Sequence, residues 1–84
     1  MTELETLPNI GPVLAACLRQ AGINSAEELR SLGERRAFEK LRATMPEDAC
    51  LSKLYAIAGA IEGVRWHSLS FERRAELATL ASAL

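Results

Sequence analysis

Leu7-Pro8-Asn9-Ile10-Gly11-Pro12 is followed directly by Val13-Leu14-Ala15-Ala16-Cys17-Leu18. The first six residues read as a tight turn and the next six as the opening of a helix. Gly11 is expected to supply a positive φ, a conformation other residues resist. Pro12 fits the first turn of a helix, where its missing N–H costs nothing. A turn of this kind aims free backbone N–H groups outward at a helix N-terminus, where an anion can be held.

Working outward, Thr2-x-x-Glu5 matches a capping box and predicts a short helical turn over 3–6. Helix 12–21 is expected to bury Val13, Leu14, Cys17, Leu18 and Ala21 on one face. Gly22 ends it as a left-handed cap, with Ile23 folding back as the apolar contact. Ser25-x-x-Glu28 is a second capping box and starts a helix over 26–32, which Gly33 terminates. A third helix, 34–43, turns Ala37, Phe38 and Leu41 inward, and Met45-Pro46 breaks the chain. The longest helix is predicted over 47–62, with Cys50, Leu54, Ile57 and Ile61 at helical spacing and Glu47 and Asp48 favouring its N-terminus. Gly63 closes it. Trp66 and Leu69 in the connector are expected to pack on the helices. Ser70 caps a last helix, 71–83, whose inner side carries Leu77, Leu80 and Leu84.

Composition supports this all-helical reading. Of the 84 residues, 49% are hydrophobic but only 5% aromatic, so the core must be built from Leu, Ile and Ala. Alanine and leucine favour helix, and no Val/Ile/Thr alternation marks a strand. The length suits one domain, 1–84. The expected fold is a compact five-helix all-α domain. A net charge of −1 gives no overall pull toward nucleic acid. No apolar run approaches a membrane span, and the acidic start, Met1-Thr2-Glu3-Leu4-Glu5, is no secretion signal. Cys17 and Cys50 make no metal or redox motif and read as buried small hydrophobes. A cytoplasmic protein with reduced thiols follows as the expectation.

The series Leu7-Pro8-Asn9-Ile10-Gly11-Pro12, Gly22-Ile23, Glu28-Leu29, Leu32-Gly33, Leu54-Tyr55-Ala56, Gly59-Ala60-Ile61 and Trp66 resembles the C-terminal domain of the TfoX/Sxy family, over about residues 4–80. The resemblance implies a bacterial regulatory domain associated with natural competence. TfoX-like regulators carry an N-terminal α/β domain ahead of this one, whereas Met1 lies six residues before the turn. The chain therefore reads as a stand-alone form, for which the resemblance implies the fold more strongly than the competence role. The N-terminal half is also similar to helix-hairpin-helix (SAM-like) modules, whose turn sits on a nucleic-acid phosphate.

Three sets of residues are candidates for function. The turn, Leu7, Pro8, Asn9, Ile10, Gly11, Pro12 and Val13, offers a phosphate seat or a structural corner. DNA-holding helix-hairpin-helix modules have glycine where Asn9 stands and a cation where Val13 stands, and Glu3 and Glu5 would repel a phosphate. The structural reading is therefore the better one. Arg35, Arg36, Lys40 and Arg42 share the face opposite Ala37, Phe38 and Leu41, interrupted by Glu39. They offer a contact for an acidic partner or a phosphate backbone, or a solvated face. Ser52, Ala56, Gly59, Ala60 and Gly63 fall together on the long helix. Glycine inside a helix costs about 1 kcal/mol relative to alanine, so close approach of a helix backbone, from this chain or another, is expected at Gly59.

His67 has no oriented partner in its neighbourhood, Ser68 and Ser70 suit turn and cap roles, and no catalytic or metal-ligand constellation is present. The expected function is a non-enzymatic interaction module acting by protein–protein contact. Its partner would be a TfoX N-terminal-type domain, the transcription machinery or a second copy, with no cofactor, metal, membrane or small-molecule substrate. The alternative is weak, sequence-independent DNA binding through the 9–13 turn and the Arg35/Arg36/Lys40/Arg42 face.

Overall fold

The computed structural model describes residues 4–83. Within them the chain is all-helical, with four α-helices and no strand. A short 3-10 turn, Leu4–Thr6, leads into the Leu7–Gly11 turn and then α1, Pro12–Gln20. Helix α2 spans Ala26–Thr44, and a 3-10 turn at Pro46–Asp48 precedes α3, Leu51–Glu62. A third 3-10 turn, Trp66–Ser68, connects to α4, Phe71–Ala83. Thr2 of the proposed first capping box and Leu84 lie outside the described residues.

Local signals placed most of the helix ends. Gly22 takes φ 90°, the Ile23 N–H donates to the Leu18 carbonyl at 2.9 Å, and the Ile23 side chain is fully buried. Ser25 Oγ accepts from the Glu28 N–H at 3.1 Å, while the Glu28 carboxylate accepts from the Asn24 N–H at 2.7 Å. Gly63 closes α3 in the left-handed region, and Ser70 Oγ accepts from the Arg73 N–H at the start of α4.

Two expectations are corrected. The segments predicted as separate helices, 26–32 and 34–43, form one 19-residue element, so there are four helices rather than five. Gly33 sits inside that element at φ 81°, ψ 166°, a region essentially closed to other residues. The glycine thus kinks the element where a helix end was expected, with helical residues on both sides of it. The long helix begins at Leu51 rather than at 47. Pro46 starts its own short turn containing Glu47 and Asp48, and Cys50 becomes the extended residue just before α3. Cys50 is consequently exposed, against the buried role expected of it, whereas Cys17 is buried on α1.

The core has two parts, with α2 and α3 serving both. One part gathers Leu4, Leu7, Ile10, Leu14, Leu18 and Ile23 from the N-terminal third against Leu29, Leu41 and Ile57. The other joins Phe38, Leu54 and Ala58 to Leu69 and Leu77. Leu80 packs against the second part, as does Trp66. The α2–α3 pair therefore forms a central layer, with the N-terminal turn and α1 on one side and the connector and α4 on the other. Arg73 links the elements at one edge. Its guanidinium reaches Glu34, just past the α2 break, and Glu62, at the end of α3, each at 2.8 Å, with Glu76 at 3.6 Å. Hydrogen bonds from Glu34 and Glu62 hold the Arg73 pKa above its ordinary value, so this group stays charged throughout the accessible pH range.

Candidate functional site

The Leu7–Pro12 turn uses its residues differently from the expectation. Its left-handed residue is Asn9, at φ 71°, and Gly11 is extended at φ −97°. Asparagine tolerates the left-handed region better than most residues, so no glycine is needed there. Leu7 and Ile10 anchor the turn in the core. Pro12 opens α1 as expected, and no side chain caps that helix. Val13, expected on the inner face, is 74% exposed.

The Asn9 side chain points into the protein rather than out toward a ligand. Its Nδ2 donates to the Val64 carbonyl at 2.9 Å and to the Ala56 carbonyl at 3.4 Å. Its Oδ1 accepts from the Trp66 N–H at 3.0 Å. One carboxamide thus ties the N-terminal turn to α3 and to the connector beyond it, and pairs the connector's Val64 carbonyl and Trp66 N–H.

This arrangement explains Gly59. A Cβ on that residue would lie 2.6 Å from Asn9 Nδ2, 2.8 Å from the Val64 carbonyl oxygen and 3.3 Å from the Trp66 nitrogen. The close neighbours are therefore a side chain and the connector backbone, not the helix backbone expected from the small-residue pattern. Of the other residues in that pattern, Ala60 is buried in the core, Ala56 is half-buried, Ser52 is exposed, and Gly63 is the exposed left-handed cap. Ser52 and Ala56 face a hollow rather than a second helix.

The basic residues of α2 are divided in their contacts. Arg35 pairs with Glu39 at 3.4 Å. Arg42 donates to the Ala81 carbonyl at 3.3 Å, near the C-terminus of α4. Arg36 and Lys40 remain exposed and one helical turn apart, with Glu39 between them in sequence.

A surface that the sequence reading did not assemble lies between α3, the connector and α4. Tyr55 and Trp66 are nearly parallel, 11° apart with centroids at 6.1 Å, and His67 stacks on Trp66 at 4.1 Å. Asn9, Ser52, Tyr55, Ala56, Arg65 and Trp66 line a hollow of about 300 Å³. Tyr55 also borders a second hollow, of about 280 Å³, with Phe71, Arg74, Ala75 and Ala78. Phe71 is 81% exposed. The Nε–H of Arg74 is buried and has no hydrogen-bond acceptor. Phe71, Arg74, Ala75 and Ala78 recur at 3, 4 and 7 residues, the spacing of one helix face. That stripe was visible in the sequence, but nothing local distinguished it from an ordinary amphipathic side.

Among the described residues, no group of three or more His, Cys, Asp and Glu side chains is placed to hold a metal ion. None of their helices is long and apolar enough to cross a membrane.

The model of the TfoX C-terminal domain matches residues 1–81 of the chain. The chain belongs to the TfoX C-terminal domain family. That family is a regulatory type of domain rather than a known enzyme family. The crystal structure, in a triclinic form, of an uncharacterized protein from Listeria monocytogenes is 39% identical, with a TM-score of 0.90 over 95% of this chain and 90% of that one. A tetragonal form of a protein of unknown function from Listeria monocytogenes is also 39% identical, with a TM-score of 0.89 over 95% of this chain and 98% of that one. No curated protein matches. In this member of the TfoX C-terminal family, the turn that carried the resemblance is a tether, and its Asn9 also lines the aromatic hollow.

Proposed function

We propose that this TfoX C-terminal-type domain is a non-enzymatic interaction module, of the kind used in competence regulation, acting in the cytoplasm by protein–protein contact. The observation that carries the reading is the placement of its large apolar side chains. Among the described residues, Val13 and Phe71 stand out in solvent at 74% and 81% exposure, and Phe71 does so beside Tyr55 and Arg74. Aromatic and arginine residues are the side chains that protein interfaces concentrate. The inward Asn9 side chain, the apolar Val13 beside the turn and the engagement of Arg35 and Arg42 all support protein over nucleic acid. The N-terminal half serves in this reading as a helix-hairpin-helix-like scaffold corner.

Two titrations test the proposal. Calorimetry with a purified TfoX N-terminal-type domain, together with light scattering of the chain alone, is expected to show association in at least one arm. Duplex DNA at low salt is expected to show none. Phosphate-driven binding weakens steeply with salt. DNA binding of that kind, weakened by Arg36→Glu and Lys40→Glu in the absence of any protein association, would overturn the reading.

A further inference from the structure

We infer that the face between α3 and α4 docks a protein segment carrying a carboxylate next to an apolar or aromatic side chain. The inference rests on the protein-contact reading above, and it names the surface and the chemistry of the partner.

The two neighbouring arginines of α4 supply the first argument. Arg73 meets three carboxylates, those of Glu34, Glu62 and Glu76. Arg74 meets none among the described residues, and its Nε–H is buried without an acceptor. That nitrogen is covered by the protein itself, so a docked carboxylate would meet the terminal nitrogens of the guanidinium, which has no acidic partner of its own among the described residues. Arg65, on the far side of Tyr55, is exposed and likewise has no carboxylate partner among the described residues. A carboxylate seated against a guanidinium accepts two parallel N–H bonds, the strongest neutralisation available to this group.

The second argument is the apolar surface around those charges. Tyr55 forms a wall common to both hollows. Phe71 projects at the rim of one, and Trp66 lines the other. Each hollow, at about 300 and 280 Å³, has room for a side chain or two and little more. One unpaired cation beside each hollow, on a chain of net charge −1, suits a carboxylate better than a polyanion, whose binding grows with the number of phosphates neutralised. The favoured occupant is therefore an acidic and aromatic peptide segment rather than a nucleic-acid strand.

The probe is the peptide acetyl-Gly-Phe-Asp-Phe-Gly-amide, titrated into the full chain. Amide and side-chain NMR shifts and the fluorescence of Trp66, the single tryptophan, read the response. Expected are saturable shifts at Tyr55, Trp66 and the Arg74 Nε–H. Arg74→Leu and Phe71→Ser are expected to weaken binding by about fivefold or more, roughly 1 kcal/mol, with unchanged thermal unfolding. Equal binding of the peptide with Asn in place of Asp would overturn the inference. So would shifts away from this face, no binding, tighter binding of oligo(dT) at the same face, or self-association that Phe71→Ser abolishes. Should an N-terminal-type domain bind in a manner lost in Val13→Ser but kept in Phe71→Ser, this docking face is wrong and the protein-contact reading stands. Absence of every protein and peptide association would remove both.

Discussion

The corner around Asn9 and the face around Arg74 treat buried polar groups in opposite ways. At the corner, one carboxamide makes three hydrogen bonds to backbone partners that α3 and the connector present. On the face, a guanidinium nitrogen is buried with no acceptor, an aromatic ring stands in solvent, and two hollows open beside Tyr55. The corner began as the most suggestive stretch of the sequence for ligand binding. Its polar atoms are spent inside the molecule, so its contribution is to hold the N-terminal turn against α3. The face has no distinctive sequence pattern, yet it sets a guanidinium with no carboxylate partner among the described residues beside exposed apolar area. Polar groups that are fully paired hold a fold, whereas an unpaired buried one costs stability.

The largest way to break this contrast is at Gly59. Replacement by leucine is expected to abolish cooperative unfolding, because the side chain would occupy the space of the Asn9 carboxamide and the Val64 carbonyl. Gly59→Ala isolates the close approach. Helix propensity alone favours alanine by about 1 kcal/mol, yet overpacking is expected to outweigh this and leave a net loss of about 1–3 kcal/mol. Thermal unfolding decides the sign, and a raised Tm would show that the corner yields easily.

Asn9→Ala comes next. It removes the bonds to Val64, Ala56 and Trp66 and places alanine at φ 71°. A loss of about 2 kcal/mol is expected, lowering the Tm of a domain this size by roughly 8–16 °C. Asn9→Gly separates the two causes, since glycine keeps the backbone conformation and loses only the side chain. If Asn9→Gly unfolded at the wild-type temperature, the tether would carry no stability.

The smallest effect is expected at Gly11. Its φ of −97° is open to any residue, and a Cβ there meets nothing within 4 Å. Gly11→Ala should move stability by no more than about 0.5 kcal/mol, as surface substitutions do. A large loss in denaturant titration would return the turn to the role its sequence first suggested.

These positions show how far local reading reaches. The Ser25/Glu28 capping, the Gly22–Ile23 reversal, Pro12 at the start of α1 and Ser70 at the start of α4 were all legible, because each is a bond or a steric limit within a few residues. Gly33 marked a real break in backbone geometry, and helix resumes beyond it as the pattern of Ala37, Phe38 and Leu41 indicated, although the two stretches run on as one kinked element. Val13 had the right spacing for burial and stayed outside, since spacing gives a direction around the helix and not the edge of the core. Gly59 was recognised as needing a close neighbour, and the kind of neighbour was missed because Asn9 lies fifty residues away in the chain. The Arg74 face was missed for a related reason. Tyr55, Trp66 and Phe71 share no periodic pattern, and a missing acceptor becomes visible only when the surroundings of Arg74 are known.

By itself the sequence determined an all-helical chain, most of its helix ends and the ordered set of residues that resembles the TfoX C-terminal domain. Capping, propensity and turn sterics act within one or two turns of backbone, so they are written where they act. The tertiary structure alone decided that Asn9 faces inward, that Gly59 exists to admit it, that Arg73 gathers three carboxylates and that Arg74 meets none among the described residues. Those outcomes depend on contacts between residues distant in the chain, such as the Asn9 bonds that span 47, 55 and 57 positions. Only the packed helices bring such partners within hydrogen-bonding distance.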